Sequence, residues 1–96
     1  NPFKIKREEW NIEKLGFLKN LVMLIWKGSQ GTVSKTEDRL IEQVINEYYD
    51  AYFTTKRVSN LCFNSFYEFS TERLPKICEE NGLHGIDLSS YNYLLK

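Results

Sequence analysis

This chain has little of what usually marks chemistry. It holds one histidine, two cysteines and no net charge, with 13 Lys+Arg against 13 Asp+Glu. The single histidine, with cysteines at 62 and 78 and no second cysteine pair, excludes a zinc set built on paired Cys and His ligands. Two cysteines sixteen positions apart read as buried free thiols ahead of a disulfide. The charge balance argues against a domain whose main work is gripping nucleic acid, because phosphate contacts need an excess of cations. The longest uninterrupted apolar run is Leu21 to Trp26, far short of the ~20 residues that cross a bilayer. No signal peptide, internal repeat or low-complexity tract appears. The expectation is a protein in a reducing compartment, cytoplasmic, without a transmembrane segment.

What the chain does have is apolar and aromatic material. A hydrophobic fraction of 42% with 15% aromatics is ample for a packed core, so disorder is excluded. Ninety-six residues suffice for one core and not for two. The start at Asn1-Pro2-Phe3 without an initiator Met, and the stop at Leu94-Leu95-Lys96, read as cut ends of a larger chain.

The periodicity predicts an all-α fold of four to five helices in one compact array over residues 1–96. Residues 1–8 form an extended lead-in, where Phe3 and Ile5 alternate with Lys4 and Lys6 like a strand whose partner lies elsewhere. A first helix spans about 9–27, with Leu15, Leu18, Val22 and Ile25 at helical spacing. Its last turn is apolar nearly all round, which predicts a central helix, and Gly28 ends it. A second helix covers 34–53, opened by a Ser34-to-Glu37 capping box and burying Leu40, Ile41, Val44, Ile45, Tyr48 and Tyr52. A third covers 64–73, with Ser65 and Glu68 in box spacing. Pro75 predicts a break near Glu72–Leu74 and a short helix over 75–81, because an interior proline costs ~3 kcal/mol. A last helix runs over 87–96.

Each chemical signal weighs less than its plain alternative. Gly28 to Thr36 reads Gly-Ser-Gln-Gly-Thr-Val-Ser-Lys-Thr, and Lys35-Thr36 matches the end of a phosphate-binding loop. Ser29 and Ser34 stand where that motif needs glycine, and the segment follows a helix instead of a strand. A plain interhelical loop is the better reading. His84 between Gly82 and Gly85 reads as an exposed turn residue, with Asp87 its nearest carboxylate. Glu8-Glu9 and Glu79-Glu80 point about 100° apart on a helix and form no acid/base dyad. Tyr48-Tyr49, Tyr52-Phe53 and Phe66-Tyr67-Phe69 could stack bases, but without interleaved cations they read as core. Lys56-Arg57 is one small basic step. No catalytic, cofactor-binding or metal-binding residue is assigned.

The assembled pattern resembles the helical region inserted in the ATPase domain of TraG-type conjugative-transfer ATPases. These occur on conjugative elements of Bacteroides-like bacteria, within the type IV secretion motor ATPases. The matching stretches are Asn1-Pro2-Phe3; Phe17-Leu18-Lys19 with Leu21 and Trp26; Thr36-Glu37 with Ile41, Val44, Ile45 and Tyr48-Tyr49; Phe63 to Phe69; Leu74 to Glu80; and Tyr93 to Lys96. The run Phe63–Phe69 with the block Pro75–Glu80 is the most specific part. The resemblance implies a piece of a larger α/β ATPase, lying between its nucleotide-binding loop and its magnesium-holding acidic strand. ATP and magnesium then belong to the parent protein, at the inner face of the bacterial inner membrane. No catalytic position of the family falls on these residues. The implied function is non-catalytic: contacts with the rest of the parent ATPase or with other subunits of the transfer machinery, with DNA contact weak or absent. The alternatives are a stand-alone helical module that binds peptide or DNA, and a degraded nucleotide-binding enzyme using Lys35.

Overall fold

The computed structural model describes residues 1–28 and 31–94. Among them are three α-helices, α1 (Ile12–Lys27), α2 (Lys35–Phe53) and α3 (Phe63–Glu80), with single 3-10 turns at Arg7–Glu9 and Tyr91–Tyr93 and no strand. The all-helical class agrees with the sequence reading; the number of helices does not. A Cα radius of gyration of 12.9 Å is close to the ~12.5 Å of a compact unit of this length.

The expected helix over 9–27 starts later. Arg7–Glu9 make a 3-10 turn, and Asn11 then caps α1 by accepting the Lys14 N–H at 2.9 Å. The expected helices over 64–73 and 75–81 are one helix that runs through Pro75. Phe66, Tyr67, Ser70, Leu74, Ile77 and Cys78 form a single buried stripe across the proline. Burying Leu74 and Ile77 contributes ~1.5–3 kcal/mol each, which outweighs the ~3 kcal/mol proline cost. The proline stands on the exposed side, so its ring displaces nothing in the core. Its cap is Cys62, whose Sγ accepts the Ser65 N–H at 3.5 Å, and not Ser65. The expected helix over 87–96 reduces, in the described residues, to the turn at Tyr91–Tyr93. Asp87 folds back on the Ser89 N–H at 2.9 Å, and residues 95–96 lie outside the described ones.

α2 is the central helix, packed against both α1 and α3. Its opening is the Ser34/Glu37 capping box read from the sequence: Glu37 N–H donates to Ser34 Oγ at 3.0 Å, and Ser34 N–H to Glu37 Oε1 at 3.1 Å. Leu40, Ile41, Val44, Ile45, Tyr48 and Tyr49 are all buried. Lys19 of α1 reaches Asp38 and Glu42 of α2 at 3.1 and 3.3 Å. Arg73 of α3 grips Glu47 of α2 through Nε at 2.6 Å.

The lead-in is part of the core and not an orphan strand. Phe3 and Ile5 are buried while Lys4 and Lys6 are exposed. The Phe3 ring stacks on Phe66 at 5.1 Å and meets Tyr48 edge-on at 6.3 Å. Its carbonyl accepts the Tyr49 hydroxyl at 2.7 Å, and Asn1 Nδ2 donates to the Leu61 carbonyl at 2.7 Å. The alternation therefore has the right faces, but a helix bundle satisfies it. The chain end folds back likewise. Tyr91 lies edge-on to Trp26 and stacks on Tyr67, and Trp26 Nε1 donates to Ser90 Oγ at 2.9 Å. Burial pushes the Tyr91 hydroxyl up to about 12.

Candidate functional site

The segment that resembles a phosphate loop does not fit a nucleotide phosphate. Its Lys35 and Thr36 are the first two residues of α2, and the helix start is already occupied. The Glu37 carboxylate sits on the Ser34 N–H, and the Ser34 hydroxyl takes the Glu37 N–H. A phosphate seeking those N–H groups would meet a carboxylate instead. Desolvation raises the Glu37 pKa, but hydrogen bonds from Lys27 and Ser34 and the Lys27 charge outweigh it and hold it low. Lys27 Nζ stands 2.6 Å from that carboxylate, so this cation is already neutralised. Ser29 and Gln30 lie outside the described residues.

The other signals stay apart. His84 is exposed between two glycines of positive φ, while the Asp87 carboxylate turns to Ser89. Glu79 and Glu80 are exposed, and Glu80 pairs with Arg73 at 3.3 Å. Glu9 accepts the Lys6 N–H at 3.1 Å. Cys62 and Cys78 are free thiols, and burial raises the Cys78 pKa. No three His, Cys, Asp or Glu side chains converge into a metal-holding group among the described residues. Of the aromatic runs, Tyr48, Tyr49, Phe66 and Tyr67 are core, and Tyr52, Phe53 and Phe69 are half-buried. Burial raises the Tyr48 hydroxyl above its ordinary value and the Tyr49 hydroxyl well above it.

A surface stands out where the sequence reading expected core. α1 is apolar on two faces. Leu15, Leu18, Val22 and Trp26 point into the bundle, while Phe17 is 58% exposed, Leu24 53% and Ile25 39%. Ile25 was expected in the core; successive residues turn by about 100°, and the bundle covers α1 on one side only. Half-buried Leu21 joins the outer row. Phe17, Leu21 and Leu24 follow spacings of four and three, the seam along which one helix receives another. The seam is held rigid from behind, because Leu18 and Val22 are fixed in the core and Lys19 is tied to α2. The apolar closing turn was legible in the sequence. Which of its two faces stays open was not, since only the packing of α2 against one side decides it.

The fold and this surface define a helical domain with an open apolar seam on α1. The chain belongs to the TraG P-loop domain family, whose family model matches residues 1–96. It is therefore a region of a TraG-type protein of conjugative transfer. A comparison with curated proteins gives no match, and neither does one with solved structures. No helix among the described residues is long and apolar enough to cross a membrane.

Proposed function

We propose that this chain is the non-catalytic helical part of a conjugative-transfer ATPase, and that it serves contacts between parts of the export machinery. The observation that carries the reading is the open seam of Phe17, Leu21, Leu24 and Ile25 on α1. Such a row is costly to leave in water at ~25 cal/mol per Å² of apolar surface, and a rigid helix face is a good docking edge. ATP and magnesium would be held by segments of the parent beyond these residues. The parent would work at the inner face of the bacterial inner membrane, where its neighbours are other subunits of the transfer machinery.

Two measurements test the reading. Isothermal calorimetry on the isolated chain should give no ATP binding. Saturable micromolar binding that Lys35→Ala abolishes would instead favour a nucleotide-binding enzyme. In the second, Leu24→Cys is labelled with a maleimide in the isolated chain and in the assembled parent. The label should react quickly in the first and slowly in the second. Equal rates would show that nothing docks on the seam.

A further inference from the structure

α1 and α3 both pack on α2 and scarcely touch each other. The segment after α3, residues 81–94, closes the space between them through one side chain. Tyr91 is 1% exposed, lies edge-on to Trp26 of α1 at 5.4 Å and stacks on Tyr67 of α3 at 5.7 Å. Ser70 donates to the Tyr67 carbonyl at 3.1 Å, so the Tyr91 hydroxyl donates to Ser70 Oγ, at 2.5 Å. The neighbouring Ser90 takes the Trp26 N–H at 2.9 Å. Little else ties the segment down. Gly82 and Gly85 have φ of 64° and 86°, and from His84 to Ser89 no hydrogen bond reaches a helix among the described residues. Leu83, Ile86 and Leu88 are only half-buried. The closed joint also carries a fault. The Tyr67 hydroxyl is buried without a hydrogen-bond partner, which disfavours the closed state, and water would supply the missing bond on opening.

We infer that Tyr91 is a releasable wedge that governs the last turn of α1. The segment after α3 lifts on Gly82 and Gly85, the ring leaves its socket between α1 and α3, and water reaches the Tyr67 hydroxyl. Trp26 is the side chain by which the wedge holds that turn, and Lys27 holds its other side through Glu37 at 2.6 Å. The same turn carries the exposed Leu24 and Ile25. With Tyr91 in place they stand in a rigid row; with Tyr91 out, they lose their backing and the turn frays. In its use the inference rests on the contact reading of the α1 seam, and it makes the segment after α3 the regulator of that seam.

The test is native-state hydrogen exchange of the whole chain, read by nuclear magnetic resonance in urea below the unfolding transition. Three N–H groups report on the wedge: the Trp26 indole on Ser90, Asn92 on the Leu88 carbonyl, and Gly28 on the Leu24 carbonyl. They should exchange through one shared opening with one shallow urea slope, about tenfold or more faster than Ile45 and Tyr48 in the middle of α2. Tyr67→Phe keeps the ring and deletes the unpaired hydroxyl, so it should slow all three about fivefold or more. Tyr91→Ala should speed Gly28 about tenfold or more relative to Leu15, which bonds the Asn11 carbonyl at the other end of α1. If Tyr91→Ala does not fold, Tyr67→Phe decides alone. Three results would overturn the inference: a Gly28 rate and urea slope equal to those of α2, Trp26 and Gly28 rates that Tyr67→Phe leaves unchanged, or equal acceleration of Leu15 and Gly28 by Tyr91→Ala. No partner enters this measurement, so it can fail while the maleimide test of the seam succeeds, and the reverse.

Discussion

Replacing Phe3 by Ala asks whether the first residues belong to the domain or merely trail from it. The ring is buried, stacked on Phe66 and edge-on to Tyr48, and the backbone carbonyl behind it takes the Tyr49 hydroxyl at 2.7 Å. Truncating a core phenylalanine costs ~3–5 kcal/mol. A domain of this length holds about 5–14 kcal/mol in all, so the loss would be a large fraction of it. Tyr49→Phe keeps the ring and deletes the hydroxyl, leaving the Phe3 carbonyl short of its donor, at ~1–3 kcal/mol. The two changes should not add. Once Phe3→Ala lets the lead-in pull away, water reaches that carbonyl and Tyr49→Phe costs less, with a coupling of ~0.5 kcal/mol or more. Urea unfolding followed by far-ultraviolet circular dichroism measures all four members of the cycle. A loss under ~1 kcal/mol for Phe3→Ala, with the pair additive within ~0.3 kcal/mol, would refute the seating of the lead-in in the core.

The two faces of α1 should separate in the same assay: Leu18→Ala or Ile41→Ala should lose ~2–5 kcal/mol, and half-exposed Ile25→Ala under ~1 kcal/mol. Pro75→Ala should raise the midpoint, because ~3 kcal/mol of helix propensity is recovered against ~0.4–1 kcal/mol of added freedom in the unfolded chain; an unchanged or lower midpoint would mean that the ring contributes packing. Acid should destabilise the fold through Glu37 and Glu47. For Glu47, desolvation works upward, but hydrogen bonds from Arg73 and Gln43 and the Arg73 charge prevail and hold the pKa low. A carboxylate depressed in the folded state stabilises above its unfolded pKa of ~4.3, and that contribution disappears as pH falls through the lower folded value. Thermal midpoints should thus be flat from neutrality to about pH 5 and fall below about pH 4, with a shallower fall in Glu47→Gln.

Local chemistry was legible in the residues wherever it acts within a few positions. The Ser34/Glu37 box, the Gly28 stop of α1 and the buried stripe of α2 from Leu40 to Tyr48 depend on spacing along one helix, which the sequence displays directly. The Phe3/Ile5 alternation was legible too, but not what covers it. Pro75 misled for the opposite reason: its local cost is visible in the chain, while the burial of Leu74 and Ile77 that outweighs it exists only once α3 meets α2. The same holds for the candidate surface. The sequence by itself determined a helical domain of the TraG family and an apolar α1. Tertiary structure decided that α2 is central, that Phe17 and Leu24 stay exposed, and that Tyr91 comes to stand between Trp26 and Tyr67. Those outcomes rest on contacts between residues some 20 to 60 positions apart, such as Lys19 with Asp38 and Asn1 with Leu61. Periodicity fixes the faces of a helix; only packing fixes which face meets which neighbour.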